Sequence, residues 1–316
     1  MRPGVAAGDM EHDKFNAVNQ RIREAAQEAG APDRLSVSII EHFLRTADET
    51  WDGAGSGQFT TAQFQNNEPY RRAVKNAMRT LFHTLANLLP AEVQLAPHID
   101  PEAIRPRVGP MVKGLVQEDW QEVALRELVS RTFVLNLRGA EAAMDVELPS
   151  CDMESPWRIL WALYGDYGLK PDDIEMVCDG LAGDFAHVRW LAYETQDPYS
   201  DVVVHETAHL LHYLKPQNFG LNVRRHQERF VDIEFRHREL FAYACEAYAR
   251  VVLHGERKAR IAFAEKMQDG SFSFPRGQIE EVAALVLEAA RARSGWRVIR
   301  EATVIHRVRG RIRAVP

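Results

Sequence analysis

The chain has 316 residues, of which 46% are hydrophobic and 27% charged, a composition typical of one or two packed globular domains and not of a disordered or repetitive chain. Its net charge is −6, and because residues 291–316 contain eight arginines and only one acidic residue, the rest of the chain carries about −13. An acidic body argues against a nucleic-acid-binding protein, whose surface is usually basic.

Helical patterns dominate the first part of the chain. Apolar residues at helical spacing predict helices over residues 11–29, 36–46 and 69–89. The four prolines between residues 97 and 110 predict an ordered connection that is not a regular element. The next helix is expected over residues 112–128.

A break in the pattern predicts a boundary between a helical N-terminal region, residues 1–150, and a second domain, residues 151–316. Just before this boundary, residues 135–145 have a pattern that does not distinguish a helix from a strand. After it, a helix is expected over residues 171–181. A strand is expected over residues 186–194, where small and apolar side chains roughly alternate with others.

Two later helices contain the residues with the clearest chemistry. The first is expected to begin at Asp197-Pro198, because aspartate caps a helix well and proline fits its first turn. It should end at Leu214, since Pro216 disfavours a helical conformation in the residue before it. The second is expected over residues 232–254, with Gly255 as its C-terminal cap. Together these patterns predict an α+β protein that is predominantly α-helical.

The first of these helices contains the motif His-Glu-Thr-Ala-His at residues 205–209. Because His205 and His209 are four residues apart, both imidazoles lie on one helix face and can bind a single zinc ion. Glu206 lies beside such an ion, where it can accept a proton from a water molecule. The 12 histidines and 27 glutamates of the chain would produce roughly 0.04 such motifs by chance. The flanking valines and leucines predict a buried helix, in which unpaired polar groups would be costly.

A third metal ligand has to come from another part of the chain. His212 shares a helix face with His205, but seven residues separate them by about 10.5 Å along the axis. We therefore expect His212 to line the site and not to bind the same ion. The second helix offers Glu234, Glu239 and Glu246.

The two helices together resemble the gluzincin class of zinc peptidases, in which a second helix supplies a glutamate ligand after the His-Glu-x-x-His helix. The segment Glu239-Leu240-Phe241-Ala242, followed by Glu246, is most similar to the second helix of the lethal-factor and MtfA families. The resemblance covers residues 202–253. It implies a zincin-like metallopeptidase domain in which Glu239 is the third zinc ligand. Glu246 is then better placed to hydrogen-bond a neighbouring group, such as the free nitrogen of a ligand histidine.

One residue of the lethal-factor pattern has no counterpart here. Those peptidases have a tyrosine, before the ligand glutamate, that helps to stabilise the transition state, whereas Asp232 and Phe235 occupy that region of this chain. The candidates for this role are Tyr213, Tyr243, His226 and His237.

The functional prediction is a zinc-dependent hydrolase with one Zn²⁺ per chain, specifically a metallopeptidase with a peptide or protein substrate. His205, His209 and Glu239 bind the ion, and Glu206 acts as general base and then as proton donor to the leaving amine. One alternative is a non-catalytic zincin-like binding protein. Another is a di-iron carboxylate protein, which needs Glu-x-x-His on two helices, whereas only residues 206–209 fit that pattern.

Cysteine content and hydropathy predict the compartment. Three widely spaced cysteines do not form a disulfide framework and fit a reducing environment. The N-terminus lacks the apolar core of a signal peptide, and no segment approaches the roughly 18 apolar residues that span a bilayer. We therefore expect a cytoplasmic protein without a membrane partner, although export that needs no such signal stays open. Residues 306–313, with alternating arginines, are expected to form an edge strand; the sequence predicts no oligomeric state.

Overall fold

The computed structural model describes residues 99–145, 180–182, 185–194, 197–223, 227–267 and 279–304. Within these ranges the protein is mostly helical with one small sheet, which confirms the predicted α+β, predominantly α-helical class. The helices predicted before residue 90, the boundary near residue 150 and the strand at residues 306–313 lie outside the described residues. No helix in the described part of the chain combines the length and the apolar composition that crossing a membrane requires.

The described part of the chain contains both helices and strands, each kind numbered here in chain order. The helices are α1 (Arg105–Leu115), α2 (Gln121–Ser130), α3 (Leu137–Asp145), α4 (Trp190–Glu194), α5 (Val202–Tyr213), α6 (Arg238–Val252), α7 (Arg257–Met267), α8 (Ile279–Arg291) and α9 (Gly295–Thr303). The strands are β1 (Thr132–Leu135), β2 (Gly180–Ala182) and β3 (Ala186–Arg189), and they form one sheet in the order β1-β3-β2.

The chain divides into two compact units that alternate along the sequence. One unit comprises Met1–Asp100, Phe133–Leu181 and His187–Glu194, and it includes most of the sheet together with α3 and α4. The other unit, which we call the helical unit, comprises Pro101–Thr132, Ala182–Ala186 and Thr195–Pro316. The sequence motif of residues 205–209 lies in the helical unit.

The centre of the helical unit is the pair α5 and α6. These two helices pack against each other, α6 also contacts α8 and α9, and α1 contacts α5, α6 and α9. The helices bury mostly apolar side chains, among them Val203, Leu210, Phe241 and Val251. The residues of the motif therefore occupy the interior of the unit.

The prolines of residues 97–110 do not prevent a helix, so the prediction of an irregular connection there was wrong. Helix α1 begins at Arg105, and Pro106 occupies its first turn, where a missing backbone N–H leaves no bond unmade. Pro110 lies inside the helix and removes one helical hydrogen bond. A buried face that includes Val108 and Met111 offsets this loss.

The single helix predicted over residues 112–128 is also wrong, because α1 and α2 are separate helices. Val116 and Gln117 have extended backbones, and a short 3₁₀ turn leads from there into α2. Trp120, which is 4% exposed, anchors this turn in the core. A tertiary contact of this kind is not visible in the local periodicity.

Three predicted elements near the sheet differ from the structure in part. Residues 135–145 are the end of β1 followed by α3, which resolves the ambiguity of their pattern. The strand predicted over residues 186–194 is confirmed only to Arg189, after which α4 begins. Of the helix predicted over residues 171–181, only Gly180 and Leu181 are described, and both belong to β2.

Both site helices begin later than their sequences predict. Asp197 does not cap α5, because its Oδ1 accepts hydrogen bonds from the backbone N–H groups of Tyr199 and Ser200, at 2.7 and 3.0 Å, and forms a separate turn. The cap is Asp201, whose carboxylate accepts from the N–H of Val204.

Helix α6 begins at Arg238 and not at residue 232, because Ile233 instead pairs with Val304 in an isolated antiparallel bridge. A 3₁₀ turn, Phe235–His237, then leads into the helix. The helix ends at Val252, and Gly255 follows with a φ of 67°, the left-handed conformation expected of a glycine after a helix end.

Replacing Gly114 by alanine is expected to lower the free energy of unfolding by about 1–3 kcal/mol. Gly114 lies on α1 where it meets α9, and a Cβ at this position would overlap the indole ring of Trp296. The matched control is Gly109→Ala on the same helix, where no atom outside the neighbouring residues lies within 4 Å of the new Cβ. Urea denaturation followed by circular dichroism measures both, and equal changes in the two variants would contradict the packing argument.

Candidate metal centre

Helix α5 contains the motif of residues 205–209 and lies in the interior of the helical unit. Every residue from Val203 to His212 is buried, and His205, Glu206 and His209 are 8%, 5% and 7% exposed. Since buried polar groups need partners, the polar side chains of this helix must be satisfied locally. Thr207 meets this requirement by donating its hydroxyl to the carbonyl of Val203 at 2.7 Å.

Three side-chain atoms from α5 and α6 converge on one point. The Nε2 atoms of His205 and His209 lie 3.2 Å apart. Glu239 Oε2, from the first turn of α6, lies 3.5 Å from the Nε2 of His209 and 3.9 Å from that of His205. A tetrahedral zinc ion with bonds of about 2.0–2.1 Å holds its ligand atoms about 3.3 Å apart. The spacing of these three atoms therefore fits such a cation.

These three residues are also the ones predicted as metal ligands. Among the described residues, His205, His209 and Glu239 form a group of potential ligand atoms that all lie within 4.8 Å of one another. The structure brings the group together, and its role in binding a metal stays a prediction. Glu246 and His212 do not belong to the group.

The second nitrogen of each imidazole has its own partner. His205 Nδ1 lies 3.1 Å from Glu246 Oε2, and His209 Nδ1 lies 3.5 Å from His212 Nε2. With Nδ1 engaged, the Nε2 atom of each ring is directed to the common point. The structure therefore places Glu246 at the second nitrogen of His205 and His212 at that of His209, and the supporting roles of both residues stay predictions.

Glu246 is 2% exposed and fully engaged in hydrogen bonds. Its Oε1 accepts from the hydroxyl of Ser200 at 2.5 Å and from the backbone N–H of Asp201 at 2.8 Å, while Oε2 faces His205. The sequence did not reveal Ser200 and Asp201, because Asp197 offered an equally good helix cap four residues earlier. Only their hydrogen bonds to Glu246 of α6 identify Ser200 and Asp201 as residues that support the site.

The charges around the centre favour a cation. Burial alone would lower the pKa of His205, but the hydrogen bond with Glu246 and the negative charges of Glu206, Glu246 and Glu239 raise it to about 9. The hydrogen bond from His209 and nearby positive charges outweigh burial and lower the pKa of Glu239 to about 2. A buried site with this excess of carboxylates is suited to hold positive charge.

The pKa of His212 is lowered, whereas that of His205 is raised. Burial and the neighbouring charges of His209 and Arg229 lower the pKa of His212 to about 3, so its ring is neutral at physiological pH. A neutral imidazole has one unprotonated nitrogen, which can accept a hydrogen bond from Nδ1 of His209. This arrangement is consistent with His212 as a partner that orients a ligand.

The three converging side chains are unequally exposed. The side chains of His205 and His209 are 11% and 9% exposed, whereas that of Glu239 is 38% exposed. The site therefore opens to solvent on the side of Glu239.

Arg238 is a site residue that sequence reasoning missed. Its Nε lies 3.3 Å from Glu239 Oε1, whereas the two histidines face the other oxygen, Oε2. Its guanidinium carbon lies 4.2 Å from the ring centroid of Phe235, and its charge contributes to the low pKa of Glu239. Arg236, two residues earlier, is paired with Glu234 instead, and nothing in the sequence distinguishes the two arginines.

The candidates for the transition-state role differ in their surroundings. The ring of Tyr243 packs against that of His205 with centroids 4.4 Å apart, and the ring of Tyr213 stacks on His209 at 6.4 Å. Burial raises the pKa of Tyr213; the charges of Arg238 and Arg229 oppose this effect, and those of Glu239 and Glu206 add to it.

His237 is less closely associated with the centre, and its Nδ1 lies 3.8 Å from the Oε2 of Glu234. His226 is outside the described residues.

Comparison with known proteins gives no match for this chain. No family model, no curated protein and no solved structure is significantly similar to it. An assignment of function therefore depends on the residues and the geometry described above.

Proposed function

We propose that the protein is a zinc-dependent hydrolase, and specifically a metallopeptidase that cleaves amide bonds of peptide or protein substrates. The observation that carries this proposal is the convergence of His205 Nε2, His209 Nε2 and Glu239 Oε2 at distances of 3.2 to 3.9 Å. Glu206, adjacent to the first histidine on the same helix, supplies the carboxylate that hydrolysis requires.

His205, His209 and Glu239 would hold the ion, which, when bound, polarises a substrate carbonyl and lowers the pKa of a nucleophilic water. Glu206 takes a proton from the attacking water and returns it to the leaving nitrogen. Glu246 and His212 keep the two imidazoles in place through their Nδ1 atoms. The burial of Glu206 limits the access of bulk water to the carboxylate.

We also infer that the helical unit is zincin-like. The inference is supported by the order of the two helices, in which the His-Glu-x-x-His helix comes first and a second helix then contributes a glutamate from its first turn. A carboxylate in the first turn of a helix is stabilised by the helix dipole, which favours Glu239 at this position.

A di-iron centre is less well supported than a single zinc ion. Such a centre needs several carboxylates around the metals, but both oxygens of Glu246 already bind other groups, namely Ser200, Asp201 and His205. A non-catalytic binding protein would have the same metal site without turnover, so an assay has to separate it from a peptidase.

We expect the purified protein to contain one zinc ion per chain and to cleave members of a diverse peptide library. A chelator should abolish both zinc content and cleavage, and added zinc should restore them. Elemental analysis and mass spectrometry of the cleaved peptides measure the two quantities. Two irons per chain would support the di-iron alternative, zinc without cleavage would support the binding protein, and protein that binds no metal would overturn the proposal.

A further inference from the structure

Arg107, a partly buried residue of helix α1, makes a two-point ion pair with the segment that begins α5. Its Nη2 lies 2.6 Å from Asp201 Oδ1 and its Nε lies 3.0 Å from Asp201 Oδ2, although 94 residues separate them in sequence. Asp201 is 5% exposed. A guanidinium that binds both oxygens of a carboxylate fixes its orientation as well as neutralising its charge.

Asp201 connects this ion pair to Glu246, whose carboxylate faces His205 of the candidate metal centre. Its carboxylate accepts from the N–H of Val204 at 3.3 Å, which anchors the first turn of α5. Its own backbone N–H donates to Glu246 Oε1 at 2.8 Å, and the hydroxyl of the preceding Ser200 donates to the same oxygen. The position of residues 200 and 201 therefore determines where the Glu246 carboxylate can lie.

Glu246 completes the connection, because its Oε2 lies 3.1 Å from Nδ1 of His205. A continuous series of hydrogen bonds thus runs from Arg107 through Asp201 and Glu246 to one of the histidines that face the candidate site. Asp201 and Glu246 are both buried carboxylates, and a buried carboxylate without a compensating partner is costly. If Arg107 is removed, Asp201 has to move or be neutralised, and either change disturbs the backbone N–H that holds Glu246.

We infer that Arg107 is a positioning residue for the metal centre, acting through Asp201 and Glu246 on the imidazole of His205. The inference rests on the proposed function where it concerns zinc affinity, but the orientation of His205 is a property of the metal-free protein as well. Helix α1 would thereby contribute to the site. The sequence predicted no role for the helical N-terminal region, residues 1–150, to which α1 belongs.

The test compares Arg107→Met with Arg105→Met in the full chain. Arg105 lies on the same helix, but its ion pairs are with the exposed carboxylates of Glu102 and Glu122, at 2.6 and 3.3 Å. Groups that contact a metal ligand typically change affinity 10–100-fold, and Arg107 acts two steps further out, through Asp201 and Glu246, so we expect a loss of zinc affinity at the lower end of this range, about tenfold. Competition with a chromophoric chelator measures this loss, and Arg105→Met should retain the parent affinity.

A second readout does not depend on zinc. In metal-free protein, nitrogen-15 NMR of the His205 side chain should show faster solvent exchange of the Nδ1 proton in Arg107→Met than in the parent or in Arg105→Met. A role limited to stability would change the unfolding midpoint without changing this signal or the affinity of the folded protein. Arg107→Lys, which keeps the charge but not the two-point geometry, should give an intermediate result and serves as the test if Arg107→Met does not fold.

The outcomes are distinguishable. Parent-like zinc affinity and parent-like Nδ1 exchange in a folded Arg107→Met or Arg107→Lys variant would overturn the positioning role. If the parent protein binds no zinc, the proposed function fails, and the Nδ1 exchange of His205 alone decides on Arg107.

Discussion

Replacing Glu206 by glutamine is expected to reduce peptide hydrolysis by about 10²–10⁴-fold while the protein still binds one zinc ion per chain. The amide has nearly the same shape as the carboxylate but cannot take a proton from water, so only proton transfer is removed. Glu206 is not among the three residues whose ligand atoms converge, which is why metal binding should persist. Measurement of kcat on a cleaved peptide, together with elemental analysis, tests both parts.

The control for this substitution is Glu256→Gln, which changes an exposed glutamate that follows α6. It should have the parent kcat and zinc content. Hydrolysis by Glu206→Gln at the parent rate would show that another group handles the protons. Loss of zinc from that variant would show that Glu206 is a ligand.

Replacing Glu239 by alanine is expected to eliminate zinc binding at equilibrium, whereas Glu246→Ala should bind zinc about 10–100-fold more weakly than the parent. Glu239 Oε2 is one of three atoms around the common point, and two histidines alone hold the ion poorly. Glu246 faces the other nitrogen of His205, so its removal loosens a ligand without deleting one. Titration of both variants with a competing chelator gives the two affinities.

The two variants should also differ in stability. Glu246→Ala leaves the buried N–H of Asp201 and the partly buried hydroxyl of Ser200 without their acceptor, and one buried unsatisfied group typically costs about 1–3 kcal/mol. Glu239 is partly exposed, so its removal should change the unfolding free energy of the metal-free protein much less. If Glu246→Ala is instead the variant that cannot hold zinc, the two roles must be exchanged, and the resemblance to the lethal-factor type of second helix fails with them.

The sequence predicted those parts of the site that depend on local geometry. Two histidines four residues apart on an apolar helix must share a face, so the pairing of His205 with His209 follows from helix periodicity alone. The choice of Glu239 over Glu246 came instead from a resemblance, because seven residues on one helix leave both on the same face. Only the packing of α5 against α6 brings Glu239 to the histidine Nε2 atoms and Glu246 to Nδ1.

The contacts between distant segments could not be predicted. Asp197 and Asp201 are both suitable helix caps. In the structure α5 begins after Asp201, which is also the aspartate that pairs with Arg107. Arg107 itself lies in a proline-rich segment that was not expected to be helical. The number of prolines led to the wrong prediction of an irregular connection, because Pro106 occupies the first turn of α1, where proline is well tolerated.

The unequal exposure of the three converging side chains has a kinetic consequence. His205 and His209 belong to a helix that is buried along its length, so displacing either of them requires the most protected part of the helical unit to open. Glu239 needs only a rotation of its own partly exposed side chain, which occurs on a far shorter timescale. A bound ion would therefore arrive and leave past Glu239, and its residence time would be set by that carboxylate and by Arg238, which holds it. The exchange rate of such an ion would thus be controlled from the solvent-exposed side of the site, where Glu239 and Arg238 lie.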